Sequence, residues 1–110
     1  MAAIKSYTDI PQSKVLAKIL SLESADMYYN YNIPYAIPHN YRIGVAKPCW
    51  SLAALLNAMP RIRKFYPTIE KINGGFTCRY KGSNILWTNG INPVDACYEM
   101  VLKLHSLNLI

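Results

Sequence analysis

Residues 74–104 read GGFTCRYKGSNILWTNGINPVDACYEMVLKL. This stretch decides the fold class. Alternation and turn residues place strands at 66–72, 76–80 and 85–88, with turns at Gly74-Gly75 and at 81–84. Within 76–80, Phe76, Cys78 and Tyr80 share one face, and Thr77 and Arg79 share the other. The first set is assigned inward. The result is an antiparallel meander of about three strands, packed on one side and wet on the other. A helix follows. Asn92 caps it, Pro93 takes its first position, and Asp95 sits where the helix dipole favours a negative charge. Cys97, Met100, Val101 and Leu104 form its buried stripe, with Ala96 and Leu107 beside it. Asp95, Glu99 and Lys103 form its wet stripe.

Upstream, a first helix is expected over 11–22. Asp9 caps it, and Gln12 completes a capping box. Val15, Leu16, Ile19 and Leu20 recur at helical spacing, with Lys14, Lys18 and Ser21 opposite. A second helix starts in CWSLAALLNAMP (49–60). Ser51 is its cap, Trp50 and Leu55 are placed to form a hydrophobic staple, and Pro60 stops it. Leu52, Leu55, Leu56 and Met59 make its apolar stripe. Between these helices lies YYNYNIPYAIPHNY (28–41), with five tyrosines, two prolines and no charge. Pro34 and Pro38 exclude a helix there. Short strands near 27–33 and 40–45 fit, at an edge rather than in the middle of a sheet. On strand alternation Tyr29 and Tyr31 point inward, leaving Tyr28, Tyr35 and Tyr41 for a surface. The order predicts an α+β fold of three helices and a small antiparallel sheet, with room for one edge strand. A chain of 110 residues is read as one domain over 1–110.

Composition narrows the class. The hydrophobic fraction is 52% and the charged fraction 16%, which excludes a disordered chain. The longest apolar windows, 52–59 and 96–104, fall short of the ~20 residues of a membrane span. The start, MAAIKSYTDIPQ, has no apolar core of signal-peptide length. Cys49, Cys78 and Cys97 are odd in number and widely spaced, which suits reduced thiols packed as small apolar groups. A cytoplasmic protein without a membrane partner is expected.

The net charge is +6, and residues 61–81 hold Arg61, Arg63, Lys64, Lys71, Arg79 and Lys81 against Glu70 alone. Such a local excess suits a polyanion. Phe65, Tyr66, Phe76 and Tyr80 lie among these charges, and an outward Arg79 can meet a phosphate or stack on a base.

Chemistry is sparse. His39 and His105 have no metal partner at ligand spacing. Ser51 lies in no nucleophile elbow, and the glycines form no phosphate loop or dinucleotide fingerprint. Asp26 is the one acid without a structural assignment. An enzyme would need a pocket gathering His39, Asp26 and tyrosine hydroxyls. No cofactor and no metal are implied. The leading expectation is a non-enzymatic protein acting through contact with another protein or with itself. Its candidate contact residues are Tyr28, Tyr35 and Tyr41. The alternative is a nucleic-acid-binding module using Arg61, Arg63, Lys64, Arg79 and Lys81.

Two resemblances add to this. LESADMYY, KPCWSLAALLNAMP and PVDACYEMVLKL resemble blocks of small uncharacterised proteins from gut-bacterial genomes and their phages or other mobile elements. The resemblance runs from about Ser13 to Leu109. It implies a phage or mobile-element setting and carries over no site residue. Residues 74–101 are similar in layout to the strand, strand, capped helix of HicB-type antitoxins, with Asn92, Pro93, Asp95 and Ala96 at the helix start. That implies a shared β-β-helix unit and no more.

Overall fold

The computed structural model describes residues 5–37 and 47–110. Among these residues the architecture is α+β: three α-helices and two three-stranded antiparallel sheets. In chain order the elements are α1 (Ile10–Leu16), β1 (Met27–Asn30), β2 (Ile33–Ala36), β3 (Pro48–Cys49), α2 (Leu52–Ala58), β4 (Thr68–Ile72), β5 (Gly75–Arg79), β6 (Trp87–Gly90) and α3 (Pro93–Ser106). The first sheet has the order β2-β1-β3 and the second β4-β5-β6.

The second sheet is the expected meander. Its first turn is Asn73-Gly74, with Ile72 opposite Gly75. Gly74 sits at φ 87, a conformation open to glycine and costly to other residues. Cys78 and Tyr80 are buried and Phe76 packs against the core, while Arg79 faces out. The third strand begins two residues later than 85. Ser83 Oγ accepts the backbone N–H groups of Ile85 and Leu86, both at 3.1 Å, and holds them in the turn. α3 packs across β5 and β6. Its caps are as the sequence implies: Asn92 Oδ1 accepts from the Asp95 N–H at 2.8 Å. At the other end Asn108 adopts φ 58, and the Leu109 N–H returns to the Leu104 carbonyl at 2.8 Å. That reversal leaves Leu107 exposed, not beside the buried stripe.

α1 is shorter than expected. The Asp9–Gln12 capping box is present. Past Leu16 the Lys18 and Ile19 N–H groups reach back only three residues, to Val15 and Leu16, and the helix tightens and ends. Leu20 still turns inward, but Val15 and Leu22 are exposed. A 3₁₀ turn at Leu22–Ser24 follows, and it delivers Ser24 Oγ to the Trp50 indole N–H at 2.9 Å. α2 has the Ser51 cap, which accepts from the Ala54 N–H at 3.1 Å. One core cluster joins Leu16 and Leu20, Trp50 and Leu55, Cys78 and Tyr80, and the inner face of α3.

The starts of α1 and α3 meet at an ionic junction. Lys5 Nζ lies 3.0 Å from Asp9 Oδ2 and 2.8 Å from Asp95 Oδ1. Gln12 Nε2 donates to the same Asp95 oxygen at 2.9 Å. Asp95 is therefore a bridging residue and not part of a wet stripe, as its sequence position implied. Burial alone would raise the Asp95 carboxyl; the hydrogen bonds and charge of Lys5 and Gln12 outweigh it and hold the carboxyl below its ordinary value. Burial likewise opposes the Lys5 ammonium, and the two carboxylates outweigh it and hold it above its ordinary value.

A lowered carboxyl stabilises the fold above the unfolded-state value, about pH 3.9, and loses that contribution as pH falls through the folded value. The Lys5 contribution is complete below its unfolded value, about 10.4, and fades as pH rises through the folded one. Urea midpoints measured from pH 7 down to pH 3 are expected to fall less steeply below about pH 4 in Asp95→Asn than in the wild type. Parallel profiles would show that the junction contributes nothing to acid stability.

Candidate functional site

Residues 27–36, which hold the first part of the tyrosine stretch, fold as a tight hairpin. Asn30 faces Ile33 across a two-residue turn, Tyr31-Asn32, with φ of 51 and 64. Two positive φ values give the turn the hand that matches strand twist. Asn accepts that conformation readily and Tyr does not. Tyr31 is thus a turn residue, 89% exposed, and the inward assignment made from strand alternation is wrong for it. For Tyr29 it is right. Tyr29 is buried, and its hydroxyl donates to the Thr8 carbonyl at 2.6 Å. Burial pushes its phenol well above the ordinary range.

Tyr28, Asn30, Ile33 and Tyr35 share the outer face. Tyr28 and Tyr35 are directly opposite each other, with stacked rings 5.6 Å apart and 27° between planes. Tyr35 is 44% exposed, Ile33 53%, and Tyr28 is half-buried. Tyr41 lies outside the described residues. Pro34 sits on edge strand β2, where its missing N–H is harmless.

Asp26 finds a role at the base of this hairpin. Its carboxylate accepts from the Ser51 N–H at 2.9 Å and from the Ser51 hydroxyl. It ties the start of β1 to the start of α2. His39 lies outside the described residues. His105 is exposed on α3. Among the described residues no three His, Cys, Asp or Glu side chains gather as metal ligands. No helix among them is long and apolar enough to cross a membrane.

The basic segment is divided. Glu70 Oε1 lies 2.9 Å from Arg79 Nη2 and 4.0 Å from Lys81 Nζ. The cross-strand acid thereby offsets the outward charge on the sheet. Arg61 lies over the Tyr66 ring, 6.0 Å from its centre. Arg63, at φ 57, turns the chain between Ile62 and Phe65 and lines an apolar cleft of about 440 Å³ with Phe65, Ile85 and Leu109. Lys64 is exposed beside it. Arg79 and Lys81 thus meet an acid, whereas Arg61, Arg63 and Lys64 lie in the segment that precedes β4.

All three thiols are free and buried. Cys49 is fully enclosed. Burial pushes its thiol up, against hydrogen bonds with Thr8, Tyr29 and Ser13 that pull it down. Thr8 Oγ1 meets Ser13 Oγ at 2.7 Å and Cys49 Sγ at 3.8 Å, and accepts the Trp50 N–H at 3.2 Å. This buried hydroxyl cluster ties α1 to β3. The sequence carries no local sign of it, because it joins two distant stretches: Thr8 and Cys49 are 41 positions apart. Cys78 of β5 and Cys97 of α3 are both buried. The neighbouring Cys78 thiol and burial push the Cys97 thiol far above its ordinary value.

No family model matches the chain, and no curated protein or solved structure matches it.

Proposed function

We propose that this chain is a non-enzymatic protein-contact factor of a phage or mobile-element setting, working in the cytoplasm. Its contact surface is the outer face of the β1–β2 hairpin. The observation that carries the reading is the stacked Tyr28–Tyr35 pair, continued by exposed Ile33; the hairpin side chains of that face, Tyr28, Asn30, Ile33 and Tyr35, carry no charge. Two stiff rings already held together lose little freedom on docking, and tyrosine offers apolar area with a polar tip. Tertiary bonds anchor the hairpin from behind, through Tyr29 to Thr8 and through Asp26 to Ser51. The face is thus rigid before any partner arrives.

Tyr35→Ser combined with Ile33→Ser tests the reading. Both positions are exposed, so the thermal melt is expected to stay near the wild type. A protein captured by the wild type, then purified and titrated directly, is expected to bind the double variant about tenfold or more weakly. The same comparison by sedimentation covers self-association. Equal binding by both forms would remove this face from the function. Salt-dependent retention on heparin that is lost in Arg79→Ala and Lys81→Ala would move the function to nucleic acid instead.

A further inference from the structure

The opposite, inner face of the same hairpin borders a second feature. A cleft of about 480 Å³ opens between α1 and the first sheet. Lys14 and Lys18 stand on its α1 side and Lys47 at the start of β3. Among the described residues no acidic side chain lines it. Among the described residues, none of these three lysines takes part in an ion pair, whereas Lys5, Arg79 and Lys81 all meet carboxylates. The remaining wall is of mixed character. Ile10, Ala17 and Pro48 supply apolar surface, and Tyr29 and Ser13 supply a floor. That floor is rigid: Ser13 is 4% exposed and Tyr29 9%, and both hydrogen-bond Thr8. Asn32 offers an amide at the rim.

We infer that this cleft binds a small phosphate monoester with an apolar or planar body. Three lysines lining one cleft without a carboxylate among its described lining residues suit a dianion, because lysine acts on phosphate as a point charge. A phosphate monoester carries about −1.5 to −2 at neutral pH, whereas a carboxylate carries one charge and leaves two of the three cations unanswered. The volume lies in the range of small-molecule sites, about 300–1,000 Å³. The apolar wall and the Tyr29 ring have no use for bare inorganic phosphate and fit an organic body. A polynucleotide would need the cationic surface to continue beyond the cleft, and the basic residues of 61–81 belong to the other sheet and its preceding turn.

The test titrates adenosine monophosphate, uridine monophosphate, inorganic phosphate and adenosine into the full chain, with backbone amide shifts and calorimetry as readouts. The expected result is saturable shifts at Ser13, Ala17 and Asn32 with a monophosphate. Adenosine and inorganic phosphate are expected to bind about tenfold or more weakly. Added salt is expected to weaken the complex. Lys14→Gln, Lys18→Gln and Lys47→Gln together are expected to reduce affinity about tenfold or more. They should leave the melt unchanged, since they break no described ion pair. Tyr35→Ser with Ile33→Ser is expected to leave binding intact, so this site and the contact face fail or stand separately. No saturable shift at millimolar ligand, equal binding by the triple variant, or adenosine binding as well as its monophosphate would overturn the proposal. An oligonucleotide that binds these residues more tightly than any monophosphate would also overturn it.

Discussion

Replacing Trp50 by alanine is expected to lower the unfolding free energy by about 3–5 kcal/mol. For a domain whose total stability is of order 5–15 kcal/mol, that is a large share. Trp50 is fully buried in the central cluster with Leu16, Leu20 and Leu55. It lies where segments from three parts of the chain meet. Its backbone carbonyl accepts the Thr8 N–H at 2.9 Å, its own N–H goes to Thr8 Oγ1, and its indole N–H goes to Ser24. Truncation leaves the backbone bonds possible but empties the space between α1, the 3₁₀ turn and α2. Trp50→Phe separates the two effects. It keeps most of the volume and loses the indole donor, at a cost of about 1 kcal/mol beyond the volume change. Urea unfolding followed by far-ultraviolet circular dichroism measures both. A loss under about 1 kcal/mol for the alanine variant would show that the cluster closes over the gap.

Gly90→Ala is expected to cost roughly 1–3 kcal/mol or more, and to cost more than Gly74→Ala. Both look like ordinary turn glycines in the sequence. Their surroundings differ. A methyl on Gly90 would stand 2.4 Å from the Ala96 nitrogen and 2.8 Å from the Asp95 carbonyl carbon. These are backbone atoms of α3, so relief requires moving the helix that carries Val94, Cys97 and Met100 into the core. Thr88 Oγ1 holds that helix at 2.7 Å through the Ala96 carbonyl, which resists such a shift. A methyl on Gly74 meets no atom within 4 Å, and its cost is the positive φ alone, about 1–2 kcal/mol. Melting temperatures of the two variants give the order. A more stable Gly90→Ala than Gly74→Ala would mean that α3 slides on the sheet at little cost.

These glycines illustrate what the chain discloses in one dimension. Caps, the α3 stripe and the faces of β5 were legible because each depends on residues within a few positions of each other. Asp9 with Gln12, Ser51 with Ala54 and Asn92 with Asp95 are all three-residue relations. The α+β class followed from the order of those units. What local spacing missed was long-range. Asp95 looked solvated because its partner Lys5 is 90 residues away. Asp26 looked free because its partner, Ser51, is 25 residues on. Arg79 looked available until strand pairing placed Glu70 beside it. Tyr31 was misplaced for a different reason. The alternation was carried through a turn whose conformation usually announces itself with glycine, and here Tyr-Asn adopts it.

The candidate sites divide the same way. Tyr28 and Tyr35 were legible as outer-face residues once a strand was assumed. Lys14, Lys18 and Lys47 were not legible as a group. Two of them read as the wet side of a helix, and the third lies about thirty residues further along the chain. Only the packing of α1 beside the first sheet brings them to one opening.

The two prolines of the first sheet have a consequence for colloidal behaviour. An aromatic, uncharged, strand-forming segment is the kind of sequence that seeds fibres. In β1 the Tyr29 N–H bonds Lys47, so the Tyr28–Pro48 pair turns its polar groups away from β1, just as the Tyr29–Pro34 pair does on the other side. Both prolines therefore face the outer margins of the sheet, where neither has an N–H to donate. The next groups along the β3 margin, at Trp50 and Leu52, are already bonded to Thr8 and Ser6. A second molecule approaching either margin finds a broken ladder, and stacking chain upon chain stalls at the first register. The protein can thus keep a tyrosine-rich face in water at high concentration without becoming its own template.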